Sequence, residues 1–113
     1  MNVLRQQLEL TPDNVRARIL LAADYASLGL RSDAIRELER AVEMRPNDSN
    51  IPYNAACTYG VMQMKTEALA LARKTIAVGY TNLDWMSRDP DLACPHGDPE
   101  FQRLCAPGKP NTQ

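Results

Sequence analysis

Residues 22–35, AADYASLGLRSDAI, and residues 56–69, ACTYGVMQMKTEAL, hold the pattern that decides the fold of this chain. The two stretches align when the sequence is shifted by 34 residues, which places Ala22 on Ala56 and Tyr25 on Tyr59. Agreement in residue size and charge across a whole segment indicates an internal repeat. A repeat of this period is typical of stacked helical units, so the architecture follows from it.

Each repeat is predicted to form two helices. In the first repeat, apolar residues recur at helical spacing until Gly29, which favours a helix end. A second apolar stripe covers residues 34–42, and Pro46 prevents that helix from continuing. We expect the hydroxyl groups of Ser32 and Thr66 to cap the second helix of each repeat. The sequence therefore predicts two helical hairpins in tandem.

Small residues mark the places where the helices cross. We expect Ala22 to face Ala34 at a close crossing in the first repeat, because only a small side chain fits there. Tyr25 is expected to fill the space beside them. The equivalent residues of the second repeat are expected to pack in the same way.

Composition limits what the chain does. Its 113 residues are 44% hydrophobic and 24% charged, which suits one folded domain. A net charge of −1 gives no electrostatic footprint for nucleic acid or an anionic membrane. No stretch has the length and hydropathy of a membrane-spanning helix, and the first residues lack the pattern of a signal peptide. Three cysteines without tight spacing indicate reduced thiols, so a cytoplasmic location is expected.

The repeat resembles the tetratricopeptide repeat family, whose unit is a helix–turn–helix of this length with small residues and a tyrosine at fixed places. Positions that match are Leu21, Ala22, Tyr25, Gly29, Ala34, Leu38, Ala41 and Pro46, followed by Ala55, Ala56, Tyr59 and Ala68. The second repeat departs from the pattern at Gln63, Thr75 and Tyr80, where the family usually has Gly, Ala and Pro. The resemblance implies an all-α, right-handed α-solenoid.

The predicted boundaries follow from this register. Residues 13–48 and 49–80 form the two repeats, and residues 81–105 form short capping helices. Residues 1–12 match only the second half of a hairpin, so they either end a preceding repeat of a longer array or serve as a starting cap. Residues 106–113 are expected to be a disordered tail.

The capping region has helix starts of its own. Asp-Pro pairs precede two apolar turns, with Pro90 and Pro99 at the first helical position. A short helix is expected to lay Leu83, Trp85 and Met86 over the open end of the second repeat. The region resembles the closing part of repeat arrays attached to bacterial signalling proteins, such as nucleotide cyclases and serine/threonine kinases.

The resemblance also implies a binding groove. In the family, fixed positions of the first helix of each unit point into the concave face, and an asparagine often holds a peptide backbone. The positions implied here as partner-binding are Arg16, Ile19, Ala23, Asn50, Tyr53, Asn54 and Cys57, with Ala26 and Gly60 beside them. Packing against neighbouring or capping helices is the alternative for each of them. Ile19 and Ala23 stand where relatives that bind acidic chaperone tails have Lys and Asn, so a less acidic ligand is expected.

Catalysis is not predicted. A metal site can be drawn from Cys94, His96, Asp98 and Cys105, but the spacing fits no standard zinc site and a loop between short helices explains the same residues. A cysteine nucleophile would lack an orienting third group. We therefore expect no catalytic residues, no metal and no cofactor.

The expected function is a non-catalytic protein–protein interaction or scaffold module that binds a protein or peptide segment on its concave face and is part of a larger bacterial protein. No nucleic acid or membrane partner is expected. The alternative is a homo-oligomerisation element, in which the exposed edge near Leu4 and Leu8 pairs with a second copy. The chain is thus expected to be a monomer or a homo-dimer.

Overall fold

A computed structural model describes residues 14–105, apart from the side chains of Ala93 and Cys94. All secondary structure within this range is helical, and it contains no strand. The predicted half-hairpin at residues 1–12 and the predicted tail at residues 106–113 lie outside the described residues. None of the helices within residues 14–105 combines the length and hydropathy that crossing a bilayer requires.

Between residues 14 and 105, four longer helices make up two helix pairs. The first pair is α1 (Val15–Ser27) with α2 (Arg31–Met44), and the second is α3 (Asn50–Val61) with α4 (Lys65–Ala77). Within each pair a short connection joins two helices that pack closely on each other. The pairs fall inside the two predicted repeats, and α1 also contacts α3.

The first pair turns through a tight hydrogen-bonded connection. The backbone N–H of Leu30 donates to the carbonyl of Tyr25 at 2.9 Å, and that of Gly29 donates to the carbonyl of Ala26 at 3.1 Å. Gly29 has a φ of 78°, in the left-handed region that glycine adopts without steric cost. These two bonds form a Schellman turn, which satisfies carbonyl groups left free at the helix end.

The second pair turns in the same way, although its left-handed residue is not glycine. Gln63 has a φ of 62°, and its N–H donates to Gly60 at 3.0 Å. Met64 donates to the carbonyl of Tyr59 at 2.9 Å, which completes the same pair of bonds. A side chain in this conformation costs about 1–2 kcal/mol. The second connection therefore adopts the Schellman geometry although glutamine, and not glycine, occupies the left-handed position.

The predicted caps at Ser32 and Thr66 are wrong. Helix α2 begins at Arg31 and α4 begins at Lys65, and neither has a side-chain hydrogen bond at its N-cap. The reason is that each Schellman turn runs directly into the next helix, so that the hydroxyl residue already lies inside the first helical turn.

The described part of the chain has two buried clusters in its core. Ala22 and Ala34 have no exposed surface, and they share the first cluster with Leu38 and with both repeat tyrosines. This cluster joins the two helix pairs. The second cluster joins α3 and α4 to residues further along the chain, and its members are Tyr53, Ala56, Leu69, Ala72, Met86, Leu92, Phe101 and Cys105.

The closing segment, residues 81–105, consists of short helices. These are α5 (Leu83–Arg88), a 3-10 turn (Pro90–Leu92), α6 (Ala93–His96) and α7 (Pro99–Cys105). Proline stands at the first helical position of both predicted starts, although the first start opens only a 3-10 turn.

The aspartate caps of the closing segment are formed. Asp89 Oδ1 accepts from the N–H of Asp91 at 3.0 Å, and Asp98 Oδ1 accepts from the N–H of Glu100 at 2.8 Å. These bonds satisfy amides that the helix starts leave free. The sequence prediction of aspartate-initiated turns is confirmed at both places.

The apolar anchors of α5 differ from the prediction. Met86 is fully buried, but Leu83 is half-buried and Trp85 is 43% exposed. This helix packs mainly on α7 and the 3-10 turn, and Met86 is its residue in the second cluster. Trp85 therefore lies on the surface of the closing segment.

Ion pairs connect the closing segment to α4, and another ion pair joins the two helices of the first pair. Lys65 and Asp98 lie 3.4 Å apart, and Arg73 pairs with Glu100, which links α4 to α7. In the first pair, Arg18 and Glu37 lie 2.5 Å apart with little exposed side chain. Exposed pairs such as the first two add little to stability and lose strength in salt.

Candidate functional site

The surface between α1 and α3, which we call the α1–α3 face, includes two pockets that contain residues implied as partner-binding. The larger one, here the amide pocket, has a volume of about 400 Å³ and exposes two asparagine side chains. Its lining residues are Val15, Arg16, Ile19, Asp48, Asn50, Ile51 and Asn54. The pocket therefore combines an apolar wall with amide and charged groups.

The smaller pocket, here the Asp91 pocket, lies further along the same two helices and has a volume of about 120 Å³. It is lined by Ala23, Ala26, Ser27, Cys57, Thr58, Val61 and Asp91. Because Arg16 and Ser27 are eleven positions apart on α1, the two pockets span roughly 16 Å at ~1.5 Å per residue.

The two pockets bring together six of the seven residues that the resemblance implied. The amide pocket takes four of them, Arg16, Ile19, Asn50 and Asn54, and the Asp91 pocket takes Ala23 and Cys57. Tyr53 lines neither pocket. It is buried under the closing segment, and Gly60 is buried against Asp91 of the same segment, so both residues match the packing alternative.

Tyr53 anchors the closing segment through a carboxylate. Its hydroxyl donates to Asp89 Oδ2 at 2.7 Å, and Asp89 is only 6% exposed. Its ring meets Tyr80 edge-on, with centroids 4.8 Å apart. Burial, followed by the hydrogen bond to Asp89, raises the pKa of Tyr53 well above its usual value. The hydroxyl therefore stays neutral and acts as a donor.

Cys57 lies at the junction of the closing segment and the Asp91 pocket. Its Sγ is 3.6 Å from Asp89 Oδ2. Burial, followed by the negative charges of Asp89 and Asp91, raises the pKa of the thiol far above its usual value. A protonated thiol is a poor nucleophile, so the arrangement does not favour cysteine chemistry.

Gly60 allows the closing segment to approach α3. A Cβ atom at this position would fall far inside van der Waals contact of the Asp91 carbonyl oxygen. The absence of a side chain therefore lets the 3-10 turn lie against the helix backbone. This close approach is what brings Asp91 to the edge of the pocket.

Sequence reasoning missed one cluster of donor atoms. Atoms of Cys57, Asp89 and Asp91 that are capable of binding a metal lie within 4.8 Å of one another. Both oxygens of Asp89 already accept hydrogen bonds, and a protonated thiol must lose its proton before it can bind a metal. We therefore describe the cluster as a negatively charged corner of the pocket. The Asp-Pro-Asp sequence at residues 89–91 was visible as a helix start, but only the tertiary fold brings Cys57 to it.

The residues of the metal site considered from the sequence make other contacts. Asp98 caps α7, and these backbone bonds, followed by the contact with Lys65, hold the pKa of its carboxyl below the usual value. The ring of His96 lies 5.3 Å from that of Phe101. Burial raises the pKa of the Cys105 thiol to about 11. The side chain of Cys94 lies outside the described residues.

A separate groove lies between α2 and α4, and we call it the outer groove. Its volume is about 570 Å³, and three glutamates surround a largely apolar floor. Burial, followed by the charges of Glu39 and Glu67, raises the pKa of Tyr59 above its usual value. Its lining residues are Leu38, Glu39, Val42, Glu43, Tyr59, Glu67, Ala70 and Leu71. None of the residues implied as partner-binding lines this groove.

Comparisons with known protein families, with curated proteins and with solved structures find no match for the chain. Function must therefore be argued from the sequence pattern and from the geometry described above.

Proposed function

We propose that this chain is a non-catalytic protein–protein interaction module that binds a peptide segment of a partner along the α1–α3 face. In this proposal the two helix pairs are tetratricopeptide-like hairpins stacked as a right-handed solenoid. The module serves in the cytoplasm as part of a larger bacterial protein. The proposal is supported by the 34-residue recurrence, which extends from the side chains to the Schellman turns at Gly29 and Gln63.

The observation that carries the proposal is that the amide pocket exposes side-chain groups capable of hydrogen bonding. Asn50 and Asn54 are exposed, and their amide groups can both donate to and accept from a peptide backbone. Ile19 offers an apolar wall, and the exposed Arg16 offers a cation. A face of roughly 16 Å accommodates about five residues of extended chain at ~3.3 Å each. This combination suits an extended segment of mixed composition.

The buried polar groups support a binding role over a reaction. A nucleophile or general base needs a pKa near the working pH, whereas burial and neighbouring carboxylates move the pKa of Tyr53 and Cys57 away from it. Both groups are used to fix the closing segment on α3. They stabilise the module that presents the pockets.

Selection from randomised seven-residue peptides displayed on phage tests the proposal. Peptides enriched on the wild-type chain should bind Ala23→Trp at least tenfold more weakly, because the indole fills the Asp91 pocket. Asn54→Ala should weaken binding about fivefold by removing a backbone hydrogen bond. Ala70→Trp, which places the same indole in the outer groove, is the matched control and should bind as the wild type does.

Melting curves must first show that all three variants remain folded. Enriched peptides that lose affinity for Ala70→Trp, but not for Ala23→Trp, would move the binding site to the outer groove and contradict the proposal. Sedimentation at several concentrations addresses the homo-oligomer alternative. A dimer that forms in the wild type and excludes every selected peptide would favour that alternative.

A further inference from the structure

One side of the Asp91 pocket is apolar, and carboxylate groups lie at the other side. Ala23, Ala26 and Val61 contribute aliphatic surface. The carboxylates of Asp89 and Asp91 lie next to Cys57 at the far side. Within residues 14–105, none of the ion pairs involves Asp89 or Asp91. The negative charge at the pocket is thus not neutralised by a described lysine or arginine.

The volume of the Asp91 pocket favours a slender side chain. A volume of about 120 Å³ is smaller than the ~150 Å³ cavity that admits a benzene ring. An unbranched aliphatic chain fits such a space better than an aromatic side chain. A planar guanidinium, which presents its donors as a rigid fork, also suits the pocket less well than a compact ammonium group.

The raised pKa of the Cys57 thiol indicates a negative electrostatic potential in the Asp91 pocket. After burial, the influences that raise its pKa are the charge of Asp89, the hydrogen bond to Asp89 and then the charge of Asp91. The same negative potential that disfavours a thiolate favours a cation in the pocket. Asp91 itself is exposed, so its attraction for a cation is that of a surface ion pair.

We propose that the Asp91 pocket binds a lysine side chain of the partner segment. The lysine methylenes lie against Ala23, Ala26 and Val61, and the ammonium group contacts the Asp91 carboxylate. This inference rests on the proposed function, and it adds the chemistry of one subsite. Arg16 at the other end of the face then favours an acidic residue about five positions away, so the two charges fix the direction in which the segment lies.

A titration with n-butylammonium chloride, followed by NMR of the alanine and valine methyl groups, tests the subsite without a known partner. The methyl resonances of Ala23, Ala26 and Val61 should shift together and saturate. n-Butanol has the same chain without the charge, and it should bind at least fivefold more weakly. Asp91→Asn keeps the side-chain size, and it should weaken n-butylammonium binding about fivefold. Higher salt should also weaken it.

Asp33→Asn removes an exposed carboxylate on α2, so it is the control, and it should bind n-butylammonium as the wild type does. Equal binding of n-butanol and n-butylammonium, or no effect of Asp91→Asn, would overturn the inference. Zinc chloride provides a further arm. Zinc that binds tightly at Cys57 and Asp91 and displaces n-butylammonium would also overturn it, because the corner would then be a metal site.

The phage selection separates this inference from the proposed function. If lysine is enriched at one position and its replacement by norleucine costs about fivefold in affinity, both stand. Selected peptides that depend on Asn54 but show no preference for lysine would leave the proposed function intact and overturn the lysine subsite. A failure to select any peptide that depends on the α1–α3 face would contradict the proposed function itself.

Discussion

The two helix pairs carry equivalent residues 34 positions apart, yet they use them differently. On α1, Ala23 is exposed and Ala26 is half-buried, and both line an open pocket. On α3, the equivalent Cys57 lines the same pocket but also contacts Asp89, and Gly60 is buried under the closing segment. The comparison shows that equivalent positions of the two repeats can have different roles. What covers the position decides whether it forms a binding surface or a packing surface.

The largest expected effect separates the second pair from the first. Phe101 is 2% exposed in the cluster that holds the closing segment, so Phe101→Ala should lower the free energy of unfolding by about 3–5 kcal/mol. Hydrogen exchange should rise mainly in the closing segment and on α3. Leu38→Ala, a truncation in the first cluster, is the counterpart and should raise exchange on α1 and α2. Identical exchange patterns in the two variants would show that the two clusters do not stabilise different parts of the chain.

The next effect concerns the close approach at Gly60. Gly60→Ala should destabilise the chain by about 1–3 kcal/mol, because the added Cβ collides with the backbone of Asp91. Gly97→Ala is the matched control, since nothing lies within 4 Å of the added atom. Its stability in urea should be unchanged or slightly higher. A Gly60→Ala variant as stable as the control would mean that the closing segment does not lie against α3.

A smaller effect appears on raising the pH. The folded-state pKa of Cys57 lies above its unfolded value, so its contribution to stability is complete below pH 8 and declines as the unfolded thiol ionises. At pH 9 the wild type should lose about 0.8 kcal/mol through this residue, given an unfolded pKa of ~8.5. Urea unfolding at pH 7 and pH 9 measures this difference. Between the two pH values, the free energy of unfolding of Cys57→Ala should fall by about 0.8 kcal/mol less than that of the wild type. Equal losses in both proteins would place the thiol in solvent.

The smallest effect compares the two turns. Gln63 and Gly29 hold the same left-handed position, but only glycine adopts it without strain. Gln63→Gly should therefore stabilise the chain by about 0.5 kcal/mol, after the entropy of the unfolded glycine is subtracted. Gly29→Ala should destabilise it by a similar or larger amount. Thermal melting checks both, and destabilisation by Gln63→Gly would contradict the shared turn geometry.

Sequence reasoning predicted the parts of the fold that depend on local spacing. The buried alanines and the tyrosines of the repeat followed from a period that can be read directly. Pro99 and its aspartate cap followed from the chemistry of helix starts. The caps at Ser32 and Thr66 failed because each Schellman turn runs directly into the next helix. Gly29 indicates the end of α1 in the sequence, but Gln63 gives no such signal for the second turn.

The candidate site was predictable only in part. Arg16, Ile19, Asn50 and Asn54 share a pocket because they occupy regular positions on two neighbouring helices. The burial of Tyr53 could not be predicted, since its partner Asp89 is 36 residues away and nothing in the spacing links the two. Asp91 was missed for the same reason. Contacts made across such distances depend on how the closing segment lies against α3.

The Tyr53–Asp89 hydrogen bond has a consequence for the order of folding. The helix pairs form through contacts between neighbouring segments, whereas this bond needs a loop of 36 residues to close first. We expect the closing segment to dock last during refolding. The chain has a single tryptophan, Trp85, and it lies in that segment. In stopped-flow refolding, the tryptophan fluorescence should therefore change more slowly than the helical circular dichroism signal, and coincident rates would show that the chain folds in one step.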